Sequence, residues 1–292
     1  MRPMRRVLAA VDFSERSRVA LGFAARLAYQ FTADLHVVHA QEPLLAAAAA
    51  HHGLDLARDS EDELRAFVAH ASPANRCAVH LDVLVGPAAT SIIDVAERTS
   101  CDIIIMAAHG MSAVQHAVVG STTEGVLRRS TVSVLVVPDE WTAAAPQAPD
   151  LTGHGPVIVG IDLQMPAFEA AADAAVFARA LGSERILLHV VPSITVLPRW
   201  RAQAEAALAA RVVEARSEMH DLVARLDDDV PTRVLVERGR VAACVADVAR
   251  QYPRGIVAVG RSVHPRGYGL PGRTAYRILA ETQLPVWMHA PR

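Results

Sequence analysis

The sequence repeats itself, and the repeat constrains the fold more than any other feature. Asp12 and His39 recur 150 residues later as Asp162 and His189. Gly86 recurs as Gly239 after 153 residues, and the matched pairs Gly120 with Gly272 and Val134 with Val286 are 152 residues apart. A period this long indicates two copies of a domain, and a chain of 292 residues is long enough for two ordinary domains.

Within each copy, short apolar runs alternate with longer amphipathic segments. The first copy begins with the strand candidate RRVLAAVD and the helix candidate RSRVALGFAARLAYQF, and its fourth strand candidate is CDIIIMA. This alternation is typical of βαβ units in a parallel sheet that is covered by helices. It predicts five strands and four helices in the first copy.

A stretch rich in proline and without periodicity, PDEWTAAAPQAPDLTGHGP, separates the two copies. Such composition is typical of an interdomain linker. We therefore predict domains at 1–138 and 156–292, joined by a linker at 139–155.

Composition excludes several classes of protein. The net charge of −2 provides no basic field for nucleic acid or anionic lipid, and no apolar run reaches the length of a membrane span. Three scattered cysteines lack the spacing of a zinc site, and the neighbouring His51 and His52 have no partner at metal-ligand spacing. We expect a cytoplasmic protein with no bound structural metal.

The stretch AAHGMSAVQHAVVGST follows the fourth strand candidate and combines small residues with hydroxyls. Ligands of open parallel sheets bind beyond the carboxyl ends of the strands, where the strand order reverses. Gly110 allows a close backbone approach or a positive φ, while Gly120, Ser121 and Thr122 open a helix whose N-terminus attracts anions. The pattern favours a phosphate site, although a tight connection into a helix would also explain it.

At these residues the sequence resembles the universal stress protein family. Its nucleotide-binding members carry GxxG, nine further residues, and then Gly followed by Ser or Thr. The matching segments here are Ala107–Gly110, Met111–Val119 and Gly120–Ser121, with VDFS, LHVVHA and SVLVVP as supporting matches. The resemblance covers both halves and implies a tandem member, with two flavodoxin-like, adenine-nucleotide-binding (HUP-type) α/β domains, each a five-stranded parallel sheet with helices on both faces.

The resemblance also implies a site for ATP or a related adenine nucleotide, with or without Mg²⁺, in the first domain. Adenine and ribose would lie near Ala10, Asp12 and Ala40, with the turn residues beneath the ribose and phosphates. The residues implied in all are Ala10, Asp12, Ala40, Met106, Ala107, Gly110, Gly120, Ser121, Thr122 and Thr123. Because a carboxylate repels phosphate, Asp12 belongs at the sugar or base end, or on a magnesium ion.

Ala107 stands where the family has its first glycine. If that position needs a positive φ, alanine costs roughly 1 to 2 kcal/mol, and if it needs only proximity, the methyl group displaces the ribose slightly. Either alternative predicts weakened nucleotide binding rather than its loss. The second half departs further, because Val263 replaces the second glycine, the spacer has eight residues, and Arg273 replaces the serine. We therefore predict a degenerate site in the second domain.

Several histidines and one long segment can be interpreted as either structural or functional. His36, His39 and His189 lie in strand candidates and are predicted to be hydrogen-bonded structural residues, whereas His109 could contact a nucleotide or pack within the turn. The segment RWRAQAEAALAARVVEARSEMHDLVARL is either a helix that covers the sheet or a lid over the crevice.

These features predict a stress-response regulator without efficient catalysis. No catalytic residues are identified, because no motif places a base beside a nucleophile. The alternatives are a nucleotide-independent protein scaffold and a weak ATP hydrolase. The resemblance further implies that the last strands of the two domains pair within the chain, and it leaves room for a homodimer and for a client protein that the sequence does not name.

Overall fold

The strands at the centre of the predicted sheets are apolar along their whole length, as strands covered on both faces must be. In the computed structural model, the strand Ile103–Ala107 is buried at every residue. The structure describes residues 4–71, 77–111, 119–139, 141, 151, 154–163, 165–193, 196–261 and 272–290. These residues form two compact units, the first ending at Leu151 and the second beginning at His154.

The first unit alternates strands with helices, as predicted. Its described elements are β1 (Arg6–Ala10), α1 (Glu15–Phe31), β2 (Asp34–Gln41), α2 (Pro43–His51), α3 (Leu56–Ala71), β3 (Val79–Val85), α4 (Ala88–Arg98), β4 (Ile103–Ala107), α5 (Ser121–Arg129) and β5 (Ser133–Val137). The helix α2 was not predicted, because its alanine run has neither apolar periodicity nor a charged face. Alanine is nevertheless the best helix former, and Pro43 stands at the helix start.

The second unit follows the same plan. Its described elements are β6 (Val157–Ile161), α6 (Met165–Leu181), β7 (Arg185–Pro192), α7 (Arg201–Leu226), β8 (Thr232–Gly239), α8 (Val241–Arg250), β9 (Ile256–Gly260), α9 (Arg273–Glu281) and β10 (Val286–His289), with a short 3₁₀ turn at Pro198–Trp200. The long segment with two readings is α7, which packs on β7 and β8 and so covers the sheet.

The described residues of each unit form five parallel strands. The strand order is β3-β2-β1-β4-β5 in the first unit and β8-β7-β6-β9-β10 in the second. This is the order in which Rossmann-type sheets begin, whereas flavodoxin itself has 2-1-3-4-5. It makes β1 and β4 neighbours and puts the reversal of strand order between them.

The helices of each unit pack in two groups. In the first unit α1 contacts α3 and α4 contacts α5, and in the second unit α6 contacts α7 and α8 contacts α9. This grouping is the one expected when helices cover both faces of a sheet. Within the described residues, none of the helices combines the length and the apolar character that a bilayer-spanning helix requires.

Candidate nucleotide site of the first unit

A cavity of about 320 Å³ lies at the carboxyl ends of β1, β2 and β4 in the first unit, beside the N-termini of α4 and α5. Volumes of this size are typical of small-molecule sites. All ten residues implied by the sequence line it, namely Ala10, Asp12, Ala40, Met106, Ala107, Gly110, Gly120, Ser121, Thr122 and Thr123. The sequence did not identify the apolar wall formed by Val38, Ala88 and Ile92.

Asp12 ties the two loops of the cavity together. Its Oδ1 accepts hydrogen bonds from the side chain of Ser14 at 2.6 Å and from the amide of Ser14 at 3.1 Å, and its Oδ2 accepts one from the amide of Met111 at 2.6 Å. Burial raises the pKa of this carboxyl, but these hydrogen bonds outweigh it, and the pKa lies below its ordinary value. Asp12 is therefore a fixed negative charge at neutral pH.

Gly110 is needed for space rather than for an unusual φ. A Cβ at this position would lie 2.5 Å from Oδ2 of Asp12, and Gly110 is not among the described residues with positive φ. The positive φ that the sequence allowed for Gly110 is thus not used. The glycine instead lets the loop approach the Asp12 carboxylate closely.

Ala107 is unstrained. It is the last residue of β4, paired with Val137 of β5, and it is not among the described residues with positive φ. The strain that the sequence left open at this position is therefore absent, since extended backbone accommodates alanine. Backbone strain at Ala107 therefore gives no reason to expect weakened nucleotide binding.

The helix α5 begins at the cavity. Its N-cap residue, Gly120, has a φ of −66° and donates its amide to the carbonyl of Ala108 at 2.8 Å. The first amides of a helix have no partner within the helix, and those of Ser121, Thr122 and Thr123 belong to residues that line the cavity. The hydroxyl of Thr123 points elsewhere, because it donates to the carbonyl of Ala107 at 2.9 Å and holds α5 against β4.

Three further polar residues meet beside Gly110, and the sequence gave no signal for two of them. Nε of Arg16 and Nδ1 of His109 each lie 3.0 Å from Oδ2 of Asp139, and Arg16 also donates to the carbonyl of Gly110 at 3.3 Å. Of these residues, only His109 was considered as a contact, and it lines the cavity. Asp139 falls in the segment interpreted as linker, and Arg16 lies on the polar face of a helix.

The hydrogen-bonded role predicted for the strand histidines is confirmed for His39 and His189 and is wrong for Nδ1 of His36, which is buried without a hydrogen-bond partner among the described residues. His39 Nδ1 lies 3.0 Å from the carbonyl oxygen of Val11, and His189 Nδ1 lies 2.8 Å from that of Ile161. The two contacts are equivalent in the repeat. They fix the end of the first strand of each unit.

The second unit has a cavity at the equivalent place. It measures about 460 Å³ and is lined by Asp162, Gly260 and Gly272, the counterparts of Asp12, Ala107 and Gly120. Arg273 is exposed at the start of α9 and does not belong to the described lining. Val263 lies outside the described residues.

Comparison with known proteins agrees with the fold and with the repeat. A model of the universal stress protein family matches residues 3–138 and again 154–289. Universal stress protein A homolog 2 of Coxiella burnetii is 32% identical over 139 residues, covering 46% of this chain and 94% of that protein. Universal stress protein Slr1230 of Synechocystis is 40% identical over 57 residues, which is 20% of each chain, so this match spans only a fifth of that relative.

Among solved structures, a universal stress protein from Archaeoglobus fulgidus matches along nearly the whole chain. The two share 19% identity and a TM-score of 0.65, with 97% of each chain covered. At this identity the likeness concerns the fold alone. The family match in both halves establishes that the chain belongs to the universal stress protein family and carries the family's domain twice in tandem.

Proposed function

We propose that the first unit binds ATP or a related adenine nucleotide, and that the protein is a stress-response regulator rather than an efficient enzyme. The observation that carries the proposal is the cavity of the first unit, in which an apolar wall and the N-terminus of α5 face the same space. The apolar wall suits an aromatic base, and the N-terminus of α5 suits a phosphate chain.

The two ends of the cavity determine the orientation of the nucleotide. The apolar side chains of Val38, Ala40, Ile92 and Met106 suit the faces of adenine. Ionised Asp12 would repel phosphates, so it suits the ribose hydroxyls, which can donate to its remaining lone pairs. The phosphates then lie at the first turn of α5, where the amides and the helix dipole stabilise negative charge.

A magnesium ion would reach the site with the phosphates. The carboxylates that line the described cavity are Asp12 and Glu124, and Glu124 also lies 2.7 Å from Arg128. Oxygen ligands of this kind suit Mg²⁺, which commonly keeps several waters and takes one or two protein carboxylates. When bound, the ion would neutralise part of the phosphate charge.

Gly120 provides a test that separates ligand binding from folding. A Cβ at this position would lie 3.5 Å from its nearest neighbours, an ordinary van der Waals contact, so packing within the chain does not require glycine. A larger side chain would extend into the space assigned to the phosphates. The variant Gly120→Leu should therefore fold and lose ATP binding.

The experiment is calorimetric titration of the full chain with ATP and magnesium. The matched control is Gly272→Leu in the second unit, where nothing described lies within 4 Å of an added Cβ. We expect the wild type and Gly272→Leu to bind ATP alike and Gly120→Leu to bind none. Absence of binding by the wild type at millimolar ATP would contradict the proposal. Loss of binding only in Gly272→Leu would assign the site to the second unit.

One observation favours the scaffold function as a second candidate. The helix α2 exposes Leu44 and Leu45, which are 79% and 58% accessible, and Leu54 follows it at 62%. Clustered exposed leucines commonly mark a surface that meets another protein. If ATP does not bind, this surface becomes the better basis for function.

A hydrolase is a weaker candidate. The Ser14 hydroxyl near the cavity donates to Asp12, so it is not positioned beside a histidine base. Phosphate release by the purified chain, compared with Asp12→Ala, would measure any slow hydrolysis. A rate that Asp12→Ala abolishes while ATP still binds would assign a catalytic role to Asp12.

A further inference from the structure

The first unit has a surface that combines exposed leucines with negative charge. This acidic surface consists of Leu44, Leu45 and Leu54, with the exposed carboxylates of Asp59 and Glu63 on α3, a helix that contacts α2. From Glu42 to Arg65 the exposed charged side chains are six carboxylates and two arginines, and Arg65 already lies 2.7 Å from Asp62. The surface therefore has a clear excess of negative charge.

The second unit has a surface that combines exposed apolar side chains with positive charge. This basic surface consists of Leu197, Arg199, Trp200 and Arg201, all of which are exposed. Leu197 is 58% accessible and Trp200 is 52% accessible. Residues 196–204 contain no carboxylate, and the next one along the chain, that of Glu205, lies 2.8 Å from Arg238. The two arginines of the surface thus keep their positive charge.

The two surfaces occupy equivalent places in the repeat. Each lies on the chain between the second strand of its unit, β2 or β7, and the early part of the helix that packs on the third strand, α3 on β3 or α7 on β8. The fold is the same at both places, but the charge is opposite. One chain therefore carries both halves of a complementary contact.

We propose that the chain self-associates, with the acidic surface of one copy bound to the basic surface of another. Opposite charges would orient the two copies, and the leucines and Trp200 would leave water in the contact. Tryptophan and arginine are also the residues that contribute most often to binding at protein interfaces. An anionic lipid surface fits less well, because it would repel the acidic surface and leave its leucines in water. The proposal does not depend on nucleotide binding by the first unit.

The first test is sedimentation velocity of the full chain at concentrations up to about 100 µM, which detects weak association. We expect the sedimentation coefficient to rise with protein concentration and the association to weaken when salt is raised, since salt screens exposed charges. Emission of Trp200 should shift to shorter wavelength as it becomes buried. The other two tryptophans, Trp141 and Trp287, are already buried at 4% accessibility, so they should contribute little to the shift.

The decisive test exchanges the charges of the two surfaces in separate chains. One chain carries Arg199→Glu with Arg201→Glu, so that both of its surfaces are acidic. The other carries Asp59→Lys with Glu63→Lys, so that both of its surfaces are basic. Each alone should associate at least about tenfold more weakly than the wild type, because like charges would meet. An equimolar mixture of the two should recover association.

A matched control separates this contact from a general effect of charge. Arg216 and Arg225 are exposed residues of the same helix, α7, and Arg216 lies 15 residues beyond Arg201, or about 22 Å along the helix. Arg216→Glu with Arg225→Glu should leave association unchanged. If a charge-exchanged chain does not fold, Trp200→Ser and Leu45→Ser, which remove apolar area at exposed positions, should each weaken association.

Four outcomes would overturn the proposal. The first is a wild type that stays monomeric throughout the concentration range. The second is association that neither charge exchange weakens, or that proceeds without a shift in emission, since another surface would then be responsible. The third is a mixture of the two folded, charge-exchanged chains that does not associate. The fourth is a monomeric wild type that binds vesicles of anionic phospholipid and loses this binding in Arg199→Glu with Arg201→Glu, which would assign the basic surface to lipid.

Discussion

Both units turn in the same strained way after their first strand, yet they use the turn differently. Phe13 has a φ of 65° and its counterpart Leu163 has a φ of 63°, a region that residues other than glycine seldom occupy. In the first unit this turn presents an aspartate that Ser14 and Met111 fix on both oxygens. In the second unit the equivalent Asp162 is exposed. The strained turn thus belongs to the fold, whereas the exposure of the aspartate that it presents differs between the units.

The cores differ in a comparable way. Arg185 of β7 is 1% exposed and forms two hydrogen bonds with Asp228, at 2.8 and 3.0 Å, whereas the equivalent residue of β2 is the buried Leu35. The same strand position therefore accepts either a hydrocarbon or an ion pair. The scaffold therefore tolerates changes both at the site and in the core, so differences between the units are informative about function.

The largest expected effect concerns the buried ion pair of the second unit. Asp228→Ala leaves the Arg185 guanidinium buried without its carboxylate, which should lower the free energy of unfolding by about 3 to 5 kcal/mol. Urea denaturation followed by Trp287 fluorescence measures the change. The double variant Arg185→Leu with Asp228→Ala imitates Leu35 and should recover most of the loss. If the double variant is as unstable as the single one, the comparison of the two cores is wrong.

The next effect concerns the space at Gly110. In Gly110→Ala the added Cβ displaces the Asp12 carboxylate, since the two atoms would otherwise be 2.5 Å apart. We expect the dissociation constant for ATP to rise about tenfold or more, equivalent to about 1.4 kcal/mol. Gly272→Ala is the control, and calorimetry should show unchanged binding. Unchanged binding in Gly110→Ala would mean that the Asp12 contact does not shape the site.

Asp12 should make the stability of the first unit dependent on pH. Because its pKa in the folded chain lies below the ordinary 3.8, its contribution is fully present above 3.8 and is lost as the pH falls through the folded value. The difference in urea midpoint between the wild type and Asp12→Asn should therefore shrink as the pH is lowered. Fluorescence of Trp141, in the first unit, reports this transition. A difference that grows on acidification would contradict the assignment.

A smaller effect is expected at Asp139. Asp139→Asn removes the carboxylate that holds Arg16 and His109, leaving the positive charge of the Arg16 guanidinium beside Gly110 for the phosphates. ATP should bind about threefold more tightly, as is usual for exposed ion pairs, and adenosine should bind as before. If adenosine binding changes equally, Asp139 acts on the cavity as a whole and not on the phosphate end.

The smallest effect is expected at Ala107. Because this residue is extended and unstrained, Ala107→Gly should change the affinity for ATP by less than about twofold. Competition titration against a fluorescent ATP analogue resolves such a difference. A gain of about tenfold, or 1.4 kcal/mol, would restore the view that alanine impairs the site.

The sequence predicted which residues meet at the cavity of the first unit better than it predicted their backbone conformation. The ten residues meet in one cavity because they lie at strand ends and at a helix start, and parallel strands bring such ends to one edge of the sheet. Whether Ala107 belonged to the strand or to the turn could not be read from the sequence, since both environments accept small residues. The reason for Gly110 likewise appears only when the distance to Asp12 is known.

Other features of the structure could not be predicted from any short sequence motif. The contact of Arg16 with Asp139 joins residues 123 positions apart, and no short motif reports such a pair. The cavity of the second unit persists although the glycine motif has decayed, because the strand ends and the helices α8 and α9 form its described walls. Loss of the glycine motif therefore predicts a cavity with different chemistry rather than the loss of the cavity.

The central claim is that one unit binds nucleotide and the other does not. The most direct measurement is the stoichiometry of ATP binding to the full chain by calorimetry. We expect one ATP per chain, with binding abolished in Gly120→Leu and retained in Gly272→Leu. Two ATP per chain, or one that disappears in Gly272→Leu, would contradict it.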